Sequence, residues 1–188
     1  MLALELIRFL SNQLHPFILK YLVPTHDSKE EPVSVEERLV IAKKIEGHIT
    51  DFTVYASSSV WGLMICMDQE WMPWYLGGQG DFAKGFVDIP YLRVDQSVLY
   101  YGMFQFGVRL KYMVEHLCSN ERGNDYEEML LHDTVTCFLY FGYLFSNFLP
   151  VGTMVVILHD ISDILCHVSK AANVSKYSFL APFPFIGC

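Results

Sequence analysis

The stretch DTVTCFLYFGYLFSNFLPVGTMVVILHD, residues 133–160, holds no charged side chain between its terminal aspartates except any charge on His159. A helix crosses a bilayer with about 20 largely apolar residues. Pro150 and Gly152 divide the stretch, so it reads as two helices meeting in a tight turn. Two shorter uncharged runs lie upstream, Phe52–Met67 and Gln96–Val108. Working outward, Ser34-Val35-Glu36-Glu37 fits a capping box that starts a helix. That helix is polar through Arg38, Lys43 and Lys44, then apolar to about Met67. A loop with Trp71, Pro73, Trp74, Gly77, Gly78 and Gly80 follows, and its tryptophans suit a membrane interface. The next helix is expected from about Arg93 to His116. A polar loop, 119–125, ends in Asn124-Asp125, a helix start leading to about Phe148. The last helix is expected from about Val151 to Lys170. Residues 1–23 form either a spanning helix or one lying along the interface. No internal repeat is visible.

Composition supports this reading. The 188 residues are 52% hydrophobic, 15% aromatic and 18% charged, with a mean hydropathy of +0.27. Soluble domains carry roughly 25% charged residues, so there are too few polar side chains here to clothe a soluble surface. Disordered chains are poor in aromatic and apolar residues, so disorder is excluded. The net charge of −8, without a basic stripe, argues against nucleic acid as a partner. Cys66, Cys118, Cys137, Cys166 and Cys188 lack metal or disulfide spacing and read as small core hydrophobes. The expected fold is an all-α polytopic transmembrane bundle of four to five helices. It is read as a single domain over residues 1–188. The chain stops within a further apolar run ending at Cys188, as a fragment would.

Basic residues mark the cytosolic side. Arg38, Lys43 and Lys44 precede the second helix, Arg109, Lys111 and Arg122 end the third, and Lys170 and Lys176 follow the fifth. With alternating spans, all three clusters fall on one side.

Ionisable groups inside apolar spans are costly and mark functional sites by default. The fourth helix carries His132, Asp133 and Thr136; the fifth carries His159, Asp160, Asp163, His167 and Lys170. His159, Asp163, His167 and Lys170 recur at spacings of four, four and three, so they form one stripe. Helical rise puts His132 roughly 25 Å and Asp163 roughly 20 Å from the turn. A cluster of imidazoles and carboxylates is therefore expected near the cytosolic ends. His159 and Asp163 have the i, i+4 spacing of a zinc pair, but no second pair accompanies them, so no metal is expected. His15, His26, His48 and His116 read as interfacial or solvated. The aromatic run Tyr140, Phe141, Tyr143 and Phe145 reads as lipid-facing or core packing.

Residues 124–177 resemble the TLC (TRAM–Lag–CLN) domain, and within it the ceramide synthases of the longevity-assurance family. The resemblance rests on an ordered series. Asp125-Tyr126-Glu127-Glu128-Met129 leads to His132-Asp133-Thr134-Val135-Thr136, where the family has His-His-x-x-Thr. Asn147-Phe148-Leu149-Pro150-Val151-Gly152 matches a family turn, Asn-x-x-Arg-x-Gly. His159-Asp160-Ile161-Ser162-Asp163 matches His-Asp-x-x-Asp, and Lys170-Ala171-Ala172-Asn173 matches the closing Lys-x-x-Asn. Two positions depart from the pattern: Asp133 replaces the second histidine, and Pro150 replaces the turn arginine.

The resemblance implies transfer of a fatty acyl group from acyl-CoA to the amine of a sphingoid base, in the endoplasmic reticulum membrane. It implies His132 as the catalytic imidazole, with Asp133, Asp160 and Asp163 as orienting or amine-binding carboxylates and His159 as a second imidazole. Thr136, Asn147 and Lys170 are implied substrate contacts. No cofactor is implied beyond acyl-CoA as co-substrate. Membrane lipids, acyl-CoA and a sphingoid base are the expected partners, with a homo- or hetero-dimer as the assembly. The alternative is a non-enzymatic TLC-domain membrane protein that binds lipid or accompanies a translocon, a branch that His167-Val168-Ser169-Lys170 resembles.

Overall fold

The computed structural model describes residues 9, 13–25, 33–87, 89, 91, 93–119 and 126–177. It is all-helical, with no strand among the described residues. The helices are α1 (His15–Tyr21), α2 (Val35–Cys66), α3 (Gln96–Cys118), α4 (Tyr126–Phe145) and α5 (Leu149–Val174). Two short 3-10 turns, Trp74–Leu76 and Phe82–Phe86, lie between α2 and α3. The expected helix start at Asn124-Asp125 and the loop around Gly123 lie outside the described residues, as do His26 and Cys188.

The capping box forms as its sequence dictates. The Ser34 amide donates to Oε2 of Glu37 at 3.0 Å, and the Glu37 amide donates to Oγ of Ser34 at 3.2 Å. Each side chain thus satisfies an amide that the first turn leaves unpaired. The fifth helix starts two residues earlier than expected, at Leu149. Proline in a first turn removes no helical hydrogen bond, because those amides have no intrahelical partner. Pro150 therefore opens the helix that it was expected to precede.

The chain divides into two compact units, residues 1–59 with 158–188, and residues 60–157. In the first unit, Ile18, Val23, Ala42 and Ile45 form the buried core, with Leu19, Leu22, Ile41, Ile49 and Val174 packed around it. Polar contacts stitch the same elements together. His15 pairs with Glu46, Arg38 donates to the Leu19 carbonyl at 3.3 Å, and the Lys176 amide donates to the Leu22 carbonyl at 3.0 Å.

The second unit has an aromatic and sulfur-rich core of Cys66, Trp71, Met72, Tyr101, Tyr140 and Met154, closed by Val98, Leu149, Val156 and Ile157. Trp71 is buried in that core while Trp74 is 80% exposed, so only one of these two tryptophans is placed to meet an interface. The loop between them folds tightly. The Gly80 amide donates to the Met72 carbonyl at 2.7 Å, and the Asp81 amide to the Glu70 carbonyl at 2.9 Å.

Helices α3 and α4 pack antiparallel. Gly102 meets Leu144 and Tyr143, Phe106 meets Phe141, Arg109 meets Tyr140, and His116 meets Asp133. The order along one helix is reversed along the other. Glycine at 102 permits this approach, since a methyl group there would lie 2.9 Å from the Leu144 side chain. The turn from α4 into α5 uses Asn147 at φ 54°. Asparagine is one of the few residues that tolerate this left-handed conformation.

Candidate functional site

Antiparallel packing brings the second turn of α4 beside the last turn of α3. There Oδ2 of Asp133 lies 3.1 Å from Nδ1 of His116. The other carboxylate oxygen, Oδ1, lies 3.4 Å from Nδ1 of His132. One carboxylate thus faces two imidazoles. Neighbouring residues on a helix diverge by about 100°, which is why His132 and Asp133 have different surroundings. Asp133 turns in toward α3 with a side chain 18% exposed, whereas that of His132 is 44% exposed. Tyr126 braces His116, its hydroxyl donating to the His116 carbonyl at 3.3 Å and its ring centre 5.0 Å away.

Deeper along the same helix pair, Arg109 is buried, its guanidinium carbon 5.7 Å from the centre of the Tyr140 ring. Thr136 is buried on α4, one turn beyond His132. Asn147 is half-buried in the turn, where its left-handed backbone is its defining feature.

The remaining candidates sit on the part of α5 that belongs to the first unit. Nε2 of His159 lies 3.7 Å from Oδ2 of Asp163, the proximity that i, i+4 spacing produces. Asp160 is fully buried, Lys170 is exposed, and His167 is half-buried against α2. His132 and Asp133 therefore belong to one compact unit, and His159, Asp160 and Asp163 to the other.

Two histidines assigned to interfacial or solvated positions on sequence grounds have specific partners instead. His116 meets Asp133 across the helix pair. His48 meets His167, one of the stripe residues on α5. Neither contact has a local sequence signature, because one partner is 17 residues away and the other 119.

Chemically, a carboxylate held between imidazoles orients their rings and fixes which nitrogen carries the proton. The TLC domain family matches residues 44–187, a span that includes every side chain of this site.

The chain belongs to the TLC domain family.

Curated relatives of this TLC domain include the ceramide synthase hyl-1 of Caenorhabditis elegans, 24% identical over 137 residues, covering 73% of this chain and 35% of that protein. Human ceramide synthase 5 is 26% identical over 136 residues, 72% of this chain and 32% of its own. ASC1-like protein 3 of rice is 26% identical over 169 residues, 89% of this chain and 56% of its own. The chain thus spans about a third of the two ceramide synthases and just over half of the rice protein. No solved structure matches it.

Proposed function

We propose that this TLC domain protein is a ceramide synthase-like N-acyltransferase, moving a fatty acyl group from acyl-CoA to the amine of a sphingoid base. The observation that supports this most is the Asp133 carboxylate between His116 and His132, at the place of the family's histidine pair. Ceramide synthases among the relatives support the same class.

In the proposed reaction Nε2 of His132 attacks the thioester carbonyl. The carbon–nitrogen bond forms, the carbon–sulfur bond breaks, and the CoA thiolate leaves and takes up a proton. The sphingoid amine, once deprotonated, then attacks the acyl-imidazole. The amide forms, the carbon–nitrogen bond to His132 breaks, and the imidazole is regenerated. Asp133 stabilises the cationic imidazole along the way. The family resemblance assigns Asp160 and Asp163 to the substrate ammonium and His159 to proton transfer. Thr136 and Asn147 are proposed substrate contacts. Lys170, exposed near the end of α5, suits the phosphates of CoA.

The setting is proposed to be a multi-pass bundle in the endoplasmic reticulum membrane. Among the described residues one helix, Leu149–Val174, is long and apolar enough to cross a bilayer by length and composition. The others carry polar residues toward one end, such as Glu127, Glu128, His132 and Asp133 on α4. Exposed apolar side chains nevertheless continue along α4, where Leu131, Phe138, Leu139 and Phe145 are 65–73% exposed. Lipid is the solvent that suits them.

Membranes bearing the protein are expected to form ceramide from acyl-CoA and a sphingoid base. No ceramide from well-inserted protein, across several acyl-chain lengths, would favour the second reading. That reading is a non-enzymatic TLC-domain protein that binds lipid or accompanies a translocon. Asp133 and Pro150, which replace a histidine and an arginine of the family pattern, are the observations that favour it.

A further inference from the structure

His48 and Asp51 lie three residues apart on α2, and His167 comes from the later turns of α5; all three belong to the first compact unit. Nδ1 of His48 is 3.3 Å from Nδ1 of His167. Oδ2 of Asp51 is 3.6 Å from that same nitrogen of His167. One ligand-type atom from each of the three side chains lies within 4.8 Å of the others, and all three residues are half-buried. The His167 ring also lies close to two other rings. Its centre is 5.5 Å from the His48 ring and 5.4 Å from the Tyr55 ring.

We propose that His48, Asp51 and His167 bind a divalent cation of the zinc type. Zinc takes imidazole nitrogen and carboxylate oxygen at roughly 2.0–2.2 Å in a tetrahedron, which separates neighbouring ligand atoms by roughly 3.3–3.6 Å. The His48–His167 and Asp51–His167 separations fall on that spacing. A nitrogen–oxygen hydrogen bond would draw the pair to about 2.7–3.2 Å, and the Asp51–His167 contact lies beyond that. Two neutral imidazoles and one carboxylate make a three-ligand set, with the fourth position left to water or another ligand. Imidazole ligands favour zinc and its neighbours in the transition series, whereas magnesium and calcium demand shells of oxygen.

The ligands come from two helices, so the ion would clamp α2 to the later part of α5 within the first unit. The ion's role is to hold the two helices together, and it takes no part in the acyl transfer assigned to His132. Lys44 and Lys170 also act electrostatically on His48. Their charge opposes a cation, and direct coordination by the three ligands must exceed that repulsion.

The test uses the whole chain in detergent, purified without a polyhistidine tag, stripped with chelator and titrated with Zn²⁺. Metal content is measured by mass spectrometry, and Co²⁺ replaces zinc as a spectroscopic probe. The expected result is one zinc per chain and the intense visible absorption of four-coordinate Co²⁺. His48→Gln, Asp51→Asn and His167→Gln should each weaken binding about tenfold or more, with helical circular dichroism retained. Where a histidine variant fails to fold, Asp51→Asn makes the same comparison with minimal change of shape. Substoichiometric zinc in the wild type would overturn the proposal, leaving an imidazole–imidazole hydrogen bond. Equal zinc binding by wild type and folded variants would also overturn it, assigning the ion to other residues.

Discussion

Oδ2 of Asp133, in the second turn of α4, lies 3.1 Å from Nδ1 of His116, in the last turn of α3. The residue that departs from the family's histidine pair is therefore also the one that ties two helices together at their polar ends. Its second oxygen faces His132. An aspartate cannot act as the imidazole it replaces, but it can orient two of them.

Charge at Asp133 is the first quantity to vary. Asp133→Asn keeps the shape and removes the charge that, in the proposed reaction, stabilises a cationic imidazole. Ceramide formation is expected to fall at least tenfold, within the range that acid–base partners contribute. Asp133→His restores the family pair and should keep or raise turnover. Rates compared in membranes with matched protein levels decide it, and equal rates in all three forms would make this position a spectator.

Asn147 has two readings that substitution separates. Its φ of 54° suits glycine as well as asparagine, whereas a β-branched residue is strained there by about 1–2 kcal/mol. If the backbone is its main role, Asn147→Gly retains activity and Asn147→Val lowers thermal stability. If its amide contacts substrate, Asn147→Gly raises KM while the melting temperature holds. Paired melting and kinetic measurements on both variants distinguish the two.

The helix turn itself makes a packing prediction. A methyl group on Gly152 would overlap the Tyr143 ring. Overpacking of this kind costs about 1–3 kcal/mol, so Gly152→Ala should lower the melting temperature of the detergent-solubilised protein. Adding Tyr143→Ala should recover part of that loss. Unchanged melting in the single variant would contradict the close approach of α4 and α5.

The fold was legible where local chemistry decides it. The capping box at Ser34 and the uncharged runs placed the helices to within a few residues. The start of α5 was misjudged because Pro150 was read as a divider, when the first turn tolerates it. The site was half legible. His132, Asp133, His159, Asp160 and Asp163 announce themselves as polar groups in apolar surroundings, and the family motif orders them. His116 and His48 do not, because their partners are set by which helix faces pack together. Trp71 illustrates the same limit: composition suggested an interface, and packing put it in the core.

Topology supplies a prediction independent of catalysis. The proposed acyl donor is cytosolic, and the basic clusters predict the end of α5 on that side. The sequon Asn173-Val174-Ser175 should therefore remain unglycosylated, although Asn173 is exposed. Endoglycosidase treatment of the expressed protein is expected to leave its mobility unchanged. A glycan on Asn173 would invert the orientation and separate the site from its acyl donor.

Acyl transfer through His132 is tested by comparing ceramide formation by wild type and His132→Ala in membranes supplied with acyl-CoA and a sphingoid base. The expected result is ceramide from the wild type and none above background from the variant, with equal expression and membrane insertion. Undiminished turnover by His132→Ala would remove this imidazole from the mechanism and contradict the account.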